Sequence, residues 1–332
     1  MGVARYIGKK ILIYLLTFYV AVTVDWLIPR MMPGNPVGIL ISRFSALPGS
    51  TEILYSYFMQ AFGLDKPLWE QYLLFWAAVL RGDLGVSIYM YPKRVVDIIA
   101  EALPYDFILI YPAVILSWIA GNWLGALSAV HRRLDNFLMP VFYFFTSSPY
   151  FWFAIVLAWL FTVVIPVFPP AGAYSAGLTP SLTLDFALDF LAHWALPFLS
   201  LFIVLLGGWA IGMRNMIIYE LGSNYSRYLE SLGAPHWMIL RYAFRNAMLP
   251  QITGLAIQLG LVVAGALTTE IVFSYPGLGY LMLEAILNED YFLIQGCFLF
   301  IVIMVLVANF TIDIVYALLD PRIRQSYAGE TA

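Results

Sequence analysis

The sequence predicts an all-α membrane protein with six transmembrane helices and both termini in the cytoplasm. Three observations predict it. Of 332 residues, 62% are hydrophobic and only 11% are charged, well outside the range of soluble globular domains. Six apolar runs are each about long enough, at roughly 1.5 Å per helical residue, to cross a hydrocarbon core of roughly 30 Å. The basic residues gather in alternate short connections, which sets an orientation. The net charge of −3 says little about partners, because in a membrane protein the placement of Lys and Arg matters more than their sum.

Taken in order, Arg5, Lys9 and Lys10 precede a first run over residues 11–28. Trp26, Pro29 and Arg30 stand where a small-residue cleavage site would follow a signal peptide, so this run reads as a retained span. Further spans are expected over residues 105–130, 137–165, 193–218, 250–273 and 292–318. The division is residues 1–29 for the N-terminus and first span, 30–104 for an extracytoplasmic loop, and 105–332 for a five-helix core with a cytoplasmic hairpin at 220–250. Arg132, Arg133, Arg214, Arg227, Arg241, Arg245, Arg322 and Arg324 lie on the N-terminal side, whereas residues 166–192 and 274–290 hold no Lys or Arg. In the long loop, Leu68, Tyr72, Leu73, Phe75, Trp76, Val79 and Leu80 recur at helical spacing until Arg81, Gly82, Asp83 and Gly85 break it. Short helices lying on the outer surface are expected, as a partner platform, a pathway lid or a packing cap.

Small residues four apart, Gly121 and Gly125, Gly208 and Gly212, and Ala256, Gly260 and Ala264, let helix backbones approach closely. Carboxylates inside spans need partners or water. Asp25 and Glu270 fall near outer span ends, where water is expected to reach them, and Asp313 near an inner end. The midplane lacks the carboxylates of a proton relay. The single Cys297 excludes an internal disulfide, and His131, His193 and His236 are too far apart for metal-ligand spacing. None of Lys9, Lys10, Lys66 or Lys93 precedes Ser or Thr, so no P-loop is present. A nucleophile elbow and a zinc-protease motif are also missing.

The longest soluble-looking island in the second half is residues 223–250. Asn224 or Ser223 is placed to cap a helix over residues 225–232, Gly233 suits a left-handed position past its end, and Pro235 suits the first turn of a second helix. Tyr225, Leu229, Leu232 and Trp237 give the hairpin an apolar side, and Arg227, Glu230, Arg241 and Arg245 a charged one. Such a hairpin either docks on a partner or lies on headgroups.

This island resembles the EAA loop of ABC importer membrane subunits, with Gly233, Asn246, Ala247 and Pro250 where that pattern wants them; Leu229 and Ser231 replace its usual alanines. The resemblance extends to the dipeptide and oligopeptide permease class through Pro33-Gly-Asn-Pro36, residues 62–72 and 81–87, residues 270–279 with Asp290-Tyr291, and Asn309, Asp313, Tyr316 and residues 320–324. It implies a type I importer with a second homologous permease, two ATPase subunits that bind ATP and Mg, and an extracytoplasmic binding protein, with no cofactor in this chain and no nucleic-acid partner. It also implies ATPase coupling through Tyr225, Arg227, Glu230, Gly233, Ala234, Pro235, Trp237 and Arg245. Candidate pathway or gate residues are Asn122, Tyr143, Trp152, Gln258 and Glu270. Peptides are the first substrate class by resemblance. β-Linked or other oligosaccharides, such as cello-oligosaccharides, are the alternative, since the aromatics of residues 143–153 could stack on sugar rings; an ion-coupled secondary transporter is a more distant one.

Overall fold

The computed structural model describes residues 2–43, 51–261 and 266–319. In order the helices are α1 (Gly2–Met31), α2 (Pro36–Arg43), α3 (Thr51–Ala61), α4 (Leu68–Arg81), α5 (Val95–Val130), α6 (Arg132–Ser147), α7 (Tyr150–Ala158), α8 (Leu184–Leu221), α9 (Asn224–Ser231), α10 (His236–Leu261), α11 (Leu267–Phe273), α12 (Leu278–Leu287) and α13 (Tyr291–Leu319), with a π-helical segment, Trp159–Val164, continuing α7. Four of them, α1, α5, α8 and α13, are each long and apolar enough to cross a membrane. Two further pairs, α6 with α7 and its π-helical extension and α11 with α12, pass only jointly, which gives up to six spans. The chain divides into two units, Met1–Pro104 with Gly277–Ala332, and Tyr105–Pro276.

In the first unit α1 and α13 run antiparallel. At one end Asp313 takes an ion pair from Lys10 at 2.8 Å and a hydrogen bond from Tyr14 at 2.6 Å; at the other, Gln295 donates to the Trp26 carbonyl at 3.4 Å. Asp313 thus has the partners that a carboxylate in a span requires. Asp25 departs from expectation: it is buried, and neither carboxylate oxygen has a hydrogen-bond partner among the described residues. Water does not reach it, because α1 packs through this stretch instead of ending there.

Residues 30–104 hold three short helices. Val37, Leu40, Ile41, Phe58 and Ile88 form their own apolar core. Helix α4 starts after Pro67, whose carbonyl accepts from Glu70 and Gln71, and stops at Gly82, which adopts φ +71° and returns its N–H to Val79. That left-handed stop is the one the Arg81-Gly82 break announces. The helix lies along the second half of α1: Trp76 stacks on Tyr19, Tyr72 meets the Trp26 ring edge-on, and its hydroxyl bonds with Thr23 at 2.8 Å. Asp290 caps α13 through Leu293 N–H at 3.0 Å and also accepts from the Ser87 hydroxyl and from Tyr89 N–H at 2.9 Å.

In the second unit Leu109, Ala113, Val114, Ala154, Leu196 and Phe273 are among the core residues. Helices α5 and α8 touch through glycine. A Cβ on Gly121 would stand 2.6 Å from the Trp209 Cβ, and one on Gly125 would collide with the Ala210 carbonyl oxygen. On α8 the close contact belongs to Gly207, packed under Thr146 and the Phe142 carbonyl, while Gly208 faces open space. Gly212 lies under the Gln251 amide. The third stripe falls partly outside the described residues at Ala264, as does the tail over residues 320–324.

Two expected spans are revised. Residues 137–165 are not one helix: α6 and α7 bend by 100° at Ser148-Pro149. Ser148 is extended, at φ −99° and ψ 137°, as a residue before proline prefers, and Pro149 has no N–H to carry the helix on. Residues 250–273 are not one helix either: α10 runs from His236 through Pro250 to Leu261 and, among the described residues, is not one of the helices apolar enough to cross, while the rest of the expected span is α11, which passes only with α12.

Candidate functional site

The hairpin is built at the end of α8. Ser223 is extended, but its hydroxyl donates back to the Glu220 carbonyl at 2.6 Å, so it makes no side-chain cap on α9, contrary to expectation. The Ser226 hydroxyl donates to the same carbonyl at 2.7 Å. The Glu220 carboxylate then accepts from the Tyr225 hydroxyl at 2.8 Å and from the Asn246 amide at 3.1 Å. One residue therefore joins α8, α9 and α10. Burial, helped by the bond to Glu220, holds the Tyr225 phenol above its ordinary pKa, which keeps it a donor at neutral pH. Glu220 was not among the residues singled out from sequence, since a carboxylate ending an apolar run looks like any span boundary.

Helix α9 ends in a Schellman motif. Ala234 N–H donates to the Leu229 carbonyl and Gly233 N–H to that of Glu230, both at 3.0 Å, with Gly233 at φ +77°. These bonds satisfy carbonyls that the helix end would otherwise leave open. The Pro235 carbonyl accepts from Met238 at 2.9 Å to open α10. Ile239, Ala243 and Ala247, spaced four apart, bury one face of α10, as a 3.6-residue period requires.

Arg227, Glu230, Arg241 and Arg245 are exposed, as the charged side predicts. The apolar side behaves differently. Tyr225 and Leu229 are half-buried, whereas Leu232 and Trp237 stay 64% and 60% exposed, alongside Tyr228. The hairpin thus presents aromatic and basic groups together, the mixture that interfaces favour. Arg214 makes a two-pronged pair with Asp135 at 2.8 and 2.6 Å, tying α8 to α6 below the hairpin.

The candidate pathway residues are spread over five helices. Asn122 is buried on α5 and donates to the Trp118 carbonyl at 2.7 Å. Gln258 is half-buried on α10. Glu270, on α11, is fully buried, so water does not reach it as expected. Tyr143 and Trp152 are half-exposed on α6 and α7. Trp152, Phe144, Phe145 and Phe153 pack edge-on around the bend at Ser148-Pro149, so these aromatics fill a corner of the fold. Among the described residues no group of His, Cys, Asp and Glu is placed to hold a metal.

The fold is that of a multi-pass membrane protein, and comparison with known proteins gives its family. Residues 121–325 match the binding-protein-dependent transport system inner membrane component, and the chain belongs to that family. It is 30% identical to the dipeptide transport system permease protein DppB of Escherichia coli (strain K12) over 96% of this chain and 98% of that one. It is 32% identical to a putative peptide permease protein of Brucella suis over 96% and 99%. With the oligopeptide transport system permease protein OppB of Haemophilus influenzae it shares 30% over 96% and 99%.

Proposed function

We propose that this chain is the permease subunit of an ATP-driven, binding-protein-dependent importer of di- and oligopeptides. The carrying observation is end-to-end similarity to permeases named for dipeptides and oligopeptides. The importer would pair it with a second homologous permease, two ATPase subunits holding ATP and Mg, and an extracytoplasmic binding protein. Tyr225, Arg227, Glu230, Gly233, Ala234, Pro235, Trp237 and Arg245 would form the ATPase contact; Asn122, Tyr143, Trp152, Gln258 and Glu270 would line or gate the path. Residues 30–104 would face outward, with both termini and the hairpin in the cytoplasm.

The deciding experiment is uptake of labelled dipeptides into vesicles carrying the assembled importer with and without its binding protein and ATP. Uptake is expected only with both, and uptake of oligosaccharides in place of peptides would overturn the substrate reading. The purified chain alone is expected to hydrolyse no ATP, because it has no P-loop; hydrolysis surviving removal of contaminating ATPases would refute this. Topology is checked in intact cells with a membrane-impermeant thiol reagent. A cysteine placed at Ser45 is expected to react and one at Ser223 to be protected, and the reverse pattern would invert the orientation.

A further inference from the structure

The second half of α1 and helix α4 carry features that the transport reading does not use. Between them lies a groove of about 430 Å³ lined by Thr23, Trp26, Leu27, Leu68, Trp69 and Tyr72, almost wholly apolar. Leu27, Leu68 and Trp69 are exposed. A second cavity, of about 370 Å³, shares Leu68 with the groove but is lined by polar groups as well, among them Arg30, Asn35, Tyr55 and Gln71. An apolar slot beside a polar chamber, with Leu68 on both and Arg30 of the one lying over Trp26 of the other, matches an amphiphile, with a chain in one and a head in the other.

Arg30 lines the polar chamber. Its Nη1 donates to the Trp26 carbonyl at 2.9 Å, its Nη2 to the Gln71 side chain at 3.4 Å, and its guanidinium lies 4.1 Å from the Trp26 ring centroid. These contacts fix the guanidinium plane without neutralising it. The buried Nε–H has no hydrogen-bond partner among the described residues, and a buried donor left unbonded is costly. The carboxylates around it are Asp25, buried and in no ion pair among the described residues, and Glu289, whose carboxylate lies against Gly34 on the chamber wall. Glu289 has φ +52° and a buried oxygen without a hydrogen-bond partner among the described residues. A guanidinium on the chamber wall suits a head that carries a phosphate. Trp26, Trp69, Tyr72 and Trp76 cluster at the same end of α1, as aromatics do at the membrane–water boundary.

We infer that the α1–α4 groove and the Arg30 chamber hold one phospholipid, its phosphate on Arg30 and an acyl chain along Leu27, Leu68 and Trp69. Guanidinium–phosphate pairing is two-pronged and strong when partly desolvated. The test is native mass spectrometry of the assembled, delipidated complex after addition of phosphatidylethanolamine, diacylglycerol or inorganic phosphate. One phosphatidylethanolamine is expected to be retained per copy of this chain, with diacylglycerol retained at least tenfold less and inorganic phosphate unable to displace the lipid. Arg30→Gln is expected to lower retention at least tenfold. Because Arg30 also bonds Trp26 and Gln71, Trp69→Ala serves as the second variant: Trp69 is 66% exposed, and its loss should lower retention with the complex intact by mass. Equal retention of diacylglycerol, displacement by inorganic phosphate, or retention unchanged in both variants would overturn the inference.

Discussion

Gly233→Val is expected to leave the protein inserted in the membrane and to abolish ATP-driven uptake. At φ +77°, with no neighbouring atom within 4 Å of where a Cβ would stand, the penalty is one of backbone conformation alone. A residue with a Cβ pays about 1–2 kcal/mol in the left-handed region, and a β-branched one more. The chain escapes by leaving that region, which breaks the Ala234–Leu229 and Gly233–Glu230 bonds and re-aims α10 relative to α9. A hairpin that transmits rigid-body motion from an ATPase works only if that angle is fixed. Gly233→Ala should retain part of the uptake. Reconstituted vesicles decide it: wild-type uptake by Gly233→Val would remove the hairpin from the mechanism.

Gly125→Leu is expected to destabilise the second unit strongly. A Cβ there would strike the backbone carbonyl of Ala210, so no rotamer relieves it and the whole α5–α8 approach must widen. Overpacking of this kind costs about 1–3 kcal/mol or more, and in lipid the close helix contact itself supplies the attraction. The yield of folded protein in mild detergent and its midpoint of thermal aggregation should both fall. Gly208→Leu, which points into open space, is the control and should leave both nearly unchanged.

The contrast between those two glycines shows where sequence reading stops. Spacing of four marks Gly208 and Gly212 as a pair, but a helix face is set by what lies opposite, and it is Gly207 that meets α6. The hairpin was readable because its signals are local: a glycine at a helix end, a proline after it, and polar residues between apolar runs. The bend in residues 137–165 was written locally too, in Ser148-Pro149, yet the unbroken apolar composition on both sides hid it. Burial of Asp25 and Glu270 could not be read, because a carboxylate near a span end looks the same whether a helix or water covers it. Glu220 gave no signal, since its partners Tyr225 and Asn246 are brought to it only by the turn that the three residues close.

The first unit is made from both ends of the chain, with α1 and α4 drawn from its beginning and α13 from its end. During synthesis the first helix leaves the ribosome nearly three hundred residues before the helix that supplies Asp313 to its Lys10 and Tyr14. In the interval its basic end and its aromatic face stand in the membrane without that partner, open to lipid or to whatever insertion factor holds them. Completion of this unit therefore waits for α13, and a chain stopped before residue 291 would carry all of the second unit and only the waiting half of the first.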